Sequence, residues 1–117
     1  VNDKPTVAEV VSKLQAQGSA DQIALFLESE QITGWPGFGG TCAIAEYVKK
    51  ATGLPHAEVG GGTVQVCSSH RETRNDGYTI LEPINPERTS YDFASAVGAF
   101  IRRFDSRTYP KLLKETQ

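Results

Sequence analysis

At residue 57 the apolar spacing of this chain changes from three-or-four to two. Before that point Val7, Val10, Val11 and Leu14, then Ile23, Phe26 and Leu27, then Ile44, Tyr47, Val48 and Ala51 recur at helical intervals. After it, Val59, Val64 and Val66 fall at strand intervals, and Phe93, Val97, Phe100, Ile101 and Phe104 return to a helical stripe. A chain that segregates its periods in this way specifies an α+β fold. N-terminal helices come first, then a three-stranded antiparallel β-meander, then a long C-terminal helix.

Local signals set the boundaries. Thr6 with Glu9 and Ser19 with Gln22 have capping-box spacing, Gly18 ends the first helix, and Thr41 can cap a third helix stopped by Gly53 and Pro55. Gly60-Gly61-Gly62 and Asn75-Asp76-Gly77 are tight-turn signals. They bracket a strand from Thr63 to about Arg71 and precede a returning strand from Tyr78 to Leu81. Pro83 to Pro86 reads as a loop, and Tyr109-Pro110 breaks the last helix before a short helical tail, Lys111 to Gln117. With 117 residues, no internal repeat and no linker composition, the expectation is one domain over residues 1–117. The apolar stripe of the last helix requires a cover. The last helix is expected to pack on the meander, with its stripe against the Val64/Val66 face, and the N-terminal helices are the other available cover.

A net charge of −2 offers no electrostatic footprint for nucleic acid, and Arg71, Arg74, Arg102 and Arg103 are diluted by acidic neighbours. No apolar run is long enough to cross a membrane. The chain begins at Val1 and contains no methionine, so the lack of a signal-peptide pattern carries little weight. Cys42 and Cys67 could pair in an oxidising space, but the expectation is two buried or free thiols in a cytoplasmic compartment.

The chemistry concentrates around Gly34-Trp35-Pro36-Gly37-Phe38-Gly39-Gly40-Thr41-Cys42, a glycine loop that delivers a cysteine to a helix start. Backbone N–H groups and the helix dipole favour a thiolate there, provided that the sulfur is exposed. Cys42 would then be a nucleophile, His70 or His56 its base, and the helix-start amides the oxyanion donors. Trp35 and Phe38, with Gly39 and Gly40 beneath them, are the other candidate site. Exposed, they form a contact surface; burial is the expectation, since tryptophan is commonly buried, and they would then close the core against the helices. Cys67-Ser68-Ser69-His70 has the spacing of half a zinc site, to which Cys42 and His56 could add ligands. A continuous strand would place Cys67 and His70 on opposite faces, so no metal and no cofactor is expected. The glycine loop lacks the Lys-Ser/Thr of a phosphate cradle and does not follow a strand.

Two resemblances accompany these readings. A cysteine at a helix start followed by an antiparallel sheet with a histidine, Gly40 to about Leu81, resembles the core of papain-like cysteine peptidases. That implies the Cys42-based hydrolase or acyltransferase just described, although no obvious oxyanion Gln or Asn precedes Cys42. The segments Ser19-Ala20-Asp21-Gln22-Ile23-Ala24, Ile32-Thr33-Gly34, Cys42-Ala43-Ile44-Ala45-Glu46-Tyr47 and Ala99 to Asp105 with Tyr109-Pro110 resemble small single-domain proteins of actinobacteria and their phages. This second resemblance implies no activity. The leading expectation is a non-catalytic binding or accessory protein with a protein partner, and the cysteine-dependent enzyme is the alternative.

Overall fold

Thr6 and Glu9 close a reciprocal capping box, with Glu9 N–H donating to Thr6 Oγ1 at 3.2 Å and Thr6 N–H to Glu9 Oε1 at 2.8 Å, and start α1 (Val7–Gln15). Ser19 accepts from the Gln22 amide to start α2 (Ala20–Ser29). Helix α3 (Ala43–Thr52) ends on Gly53, whose φ of 77° is the left-handed value that a glycine takes without strain. Its cap is Cys42, one residue beyond the Thr41 expected from sequence. These are elements of a computed structural model that describes residues 4–114.

Antiparallel strands β1 (His56–Gly60), β2 (Thr63–Cys67) and β5 (Glu87–Ser90) make a sheet in the order β1-β2-β5. Strands β3 (Ser69–Asn75) and β4 (Tyr78–Ile84) form a separate two-stranded hairpin. The fold class is therefore the α+β arrangement read from the sequence, but the third strand of the sheet is Glu87–Ser90 rather than Tyr78–Leu81. The physical link between sheet and hairpin is their register. Val66 lies opposite Glu87 and Ser69 opposite Ile84, so β2–β5 and β3–β4 belong to one long ribbon. The ribbon is interrupted where Asn85 takes a φ of 52° and Pro86 has no N–H to give. Beyond that joint the hairpin stands out as an arm whose β3 residues are all exposed.

The core sits between the helices and one face of the sheet. Val64 and Val66 are fully buried, with α3 packed on β1 and β2 and α1 on β2 and β5. Each such side chain contributes on the order of 1.5–3 kcal/mol. Helix α4 (Ala96–Asp105) buries Val97, Phe100 and Phe104 and packs on α1 and α2, which corrects the expectation that it packs on the sheet. Its first turn is held by Gln15 of α1, which donates to Ser95 Oγ at 2.8 Å and accepts from the Val97 amide at 3.2 Å. Phe93 precedes the helix and is 58% exposed, so it does not share the stripe assigned to it. After α4, Tyr109 stacks on Phe100 with ring centroids 5.3 Å apart, and a 3-10 turn, Pro110–Leu112, buries Leu112. The helical tail expected from Lys111 onward is represented only by that turn. Residues 115–117 of that expectation lie outside the described residues.

Candidate functional site

The glycine loop is pinned along its length by its own backbone. Trp35 N–H donates to Thr41 O at 2.8 Å, Thr41 N–H to Phe38 O at 3.2 Å, and Val59 N–H of β1 to Gly39 O at 2.9 Å. Gly37 N–H donates to Asp105 Oδ1 of α4, also at 2.9 Å. Two glycines make this path possible. A Cβ on Gly39 would stand 2.5 Å from Val59 O, and one on Gly34 would stand 2.5 Å from Cys42 C and 2.7 Å from Thr41 O. The backbone of the loop itself thus lies against α3 and β1 at these two points. Trp35 is 37% and Phe38 64% exposed, which corrects the expectation of burial.

Phe38 and Phe93 line one groove of about 220 Å³ with Cys42, Tyr91, Ile101 and Asp105. Tyr91 and Phe93 meet edge to face at 5.7 Å. Cys42 is 6% exposed, and its thiol faces Gly39 O at 3.9 Å. Burial pushes its pKa up, against the amides of Ala45 and Ile44, which favour the thiolate without closing a cap hydrogen bond. Asp105 adds to the upward shift. The sequence argument for a lowered pKa required an exposed sulfur, and the loop covers it instead.

The sign of this shift fixes a pH dependence. The folded state holds Cys42 neutral, so its contribution to stability is present below the ordinary thiol pKa and is lost as the pH rises through the raised one. At neutral pH iodoacetamide should therefore modify Cys42 far more slowly than a free thiol, and urea should abolish the protection. Mass spectrometry of the alkylated peptides reads both. Labelling of the folded protein at the free-thiol rate would contradict the burial argument.

The two histidines lie elsewhere. His56, His70, Cys67, Glu58, Lys49 and Gly40 line a second cavity of about 170 Å³. Gly39 lines the first cavity and Gly40 the second, so the loop forms part of the wall of both. The His56 and His70 rings meet at 4.6 Å, and His70 Nε2 is 3.7 Å from Cys67 Sγ. The structure thus sets His70 beside Cys67, while Cys42 lines the other cavity. The expectation that Cys67 and His70 occupy opposite faces is corrected for a specific reason. The strand breaks at Ser68, across from Asn85 and Pro86, and the alternation restarts there. No spacing near Cys67 announced this, because the positive φ of Asn85 and the missing N–H of Pro86 lie on the opposing strand.

Both cysteines are free. Among the described residues, no group of three or more His, Cys, Asp or Glu side chains could hold a metal ion, and no helix is long and apolar enough to cross a membrane. Comparison with protein-family models, with curated proteins and with solved structures found no match for this chain.

Proposed function

We propose that this chain is a non-catalytic binding module whose working surface is the groove between the glycine loop and the start of α4. The observation that carries this reading is the pair Phe38 and Phe93, both more than half exposed on the walls of one groove. Exposed aromatics cost solvation, and here a hydrogen-bonded backbone holds Phe38 in place, so little ordering entropy remains to be lost on binding. The occupant we assign is an extended segment of a protein partner, bearing an aromatic or branched apolar side chain beside a lysine or arginine. The apolar side chain fits between the rings. The basic residue answers Asp105, the one charged side chain among the described residues of the lining.

Panning a phage-displayed library of random peptides tests this directly. Enriched peptides should carry an apolar–basic pair and lose at least tenfold in affinity against Phe38→Ala and Phe93→Ala. Peptides that bind the double variant equally well, or no enrichment over it, would reject the groove. The cysteine-dependent hydrolase or acyltransferase draws less support, since Cys42 is covered and held neutral, and His56 and His70 line a different cavity.

A further inference from the structure

We propose that the projecting arm is a self-association device, in which β3 of one copy pairs antiparallel with β3 of a second copy about a two-fold axis at Thr73. This goes beyond the groove proposed above and involves none of its residues.

The turn of the arm decides which backbone groups are free. Asp76 and Gly77 have φ values of 51° and 84° and form a two-residue turn flanked by the pair Asn75 and Tyr78. The flanking pair of such a turn is hydrogen-bonded, and hydrogen-bonded pairs alternate with non-bonded ones along the ladder. Residues 69, 71, 73 and 75 therefore direct their N–H and C=O groups at β4. His70, Glu72 and Arg74 direct theirs outward, to an edge that no described strand occupies. The opposite edge, on β4, is poorer. Its outward positions are Thr79, Leu81 and Pro83, and Pro83 supplies no donor. An isolated two-stranded hairpin is marginal in water, and an open edge with a full set of donors and acceptors is a template for another strand.

Charges on an edge strand commonly keep copies apart, and three of the possible registers here do so. A regular antiparallel ladder must place outward groups opposite outward groups, which leaves few choices. Centring the two-fold on Arg71, Glu72 or Arg74 puts two like charges face to face. Centring it on Thr73 sets Glu72 opposite Arg74 of the second copy, twice, with Thr73 opposite Thr73 in the close, non-bonded pair. Opposite charges then meet at both hydrogen-bonded positions. Thr73 lies across from Ile80 within the arm, so this register also brings the two exposed Ile80 side chains into one row of a four-stranded sheet. The alternation of charge along β3 is thus self-complementary in one register and repulsive in its neighbours.

Charge exchange on the intact protein tests the proposal. Sedimentation velocity should show concentration-dependent dimerisation of the wild type. Glu72→Arg makes both positions basic and Arg74→Glu makes both acidic, so each variant alone should lose dimerisation by at least tenfold. Mixing the two single variants should restore the dimer, and so should the doubly exchanged chain E72R/R74E. Those two arms also show that the single variants are folded. Thr73→Cys should form an interchain disulfide under diamide faster than Arg71→Cys, because non-bonded pairs bring their Cβ atoms close enough for the bond. A wild type that stays monomeric across the concentration range, or a dimer indifferent to the exchanges, would overturn the pairing.

Discussion

Replacing Phe100 by alanine is expected to remove about 4 kcal/mol of stability, a large share of the 5–15 kcal/mol that domains of this size possess. The ring is fully buried, stacked on Phe104 at 5.8 Å and on Tyr109 at 5.3 Å, so the helix and the segment that follows it lose packing together. Helix α4 packs on α1 and α2 and buries this side chain, and Tyr109 leads directly into the 3-10 turn. Urea denaturation followed by circular dichroism should show the midpoint falling by roughly 2 M or more. Phe93→Ala is the matched control. That ring is mostly in water, and its loss should cost no more than about 0.5 kcal/mol. Equal effects from the two substitutions would mean that the packing of α4 described above is incorrect.

Gly34→Ala comes second in size, at about 3 kcal/mol, and acts by a different mechanism. The added methyl would meet backbone atoms of Thr41, Cys42 and Ala43, which cannot rotate away as a side chain can. Gly34 also donates to Leu112 O at 2.8 Å and accepts from Lys114 N–H at 2.9 Å, so relieving the clash pulls apart the tie between loop and C-terminal segment. The same urea experiment measures the loss. Hydrogen exchange should also show the Trp35 and Val59 amides losing protection, since their acceptors lie in the displaced loop. A variant as stable as the wild type would show that the close approach is not required.

The helices were legible because their information is local. Thr6, Ser19 and Gly53 act within one turn of themselves, and the stripes Val7–Leu14 and Val97–Phe104 need only a partner of any kind. The two tight turns were legible for the same reason. Strand β5 was not, because Glu87-Arg88-Thr89-Ser90 carries no apolar alternation. Backbone pairing to β2 holds it in the sheet, while Val64 and Val66 supply the burial. The site shows the same division. The sequence singled out the glycine loop, Trp35, Phe38 and Cys42. No spacing encodes whether the rings lie in or out, or how closely Gly34 and Gly39 approach distant backbone. The contribution of Phe93 to the groove was missed for a related reason, since its helical spacing from Val97 suggested a core residue. The one legible hint was Asp92-Phe93-Ala94-Ser95, in which a capping serine follows the phenylalanine and starts the helix after it.

The shared register of sheet and arm has a consequence for how this architecture can vary. Because β2–β5 and β3–β4 follow one pairing scheme across the Pro86 joint, residues added to the arm in matched pairs leave every partner in the sheet unchanged. Each added pair extends the arm by about 3.4 Å, whereas an unmatched residue forces a bulge or slips the pairing of the two strands. Arm length is therefore a free dimension of this fold, adjustable in even steps without disturbing the core. The reach of the arm can be tuned to a spacing imposed from outside the molecule while its anchorage stays the same.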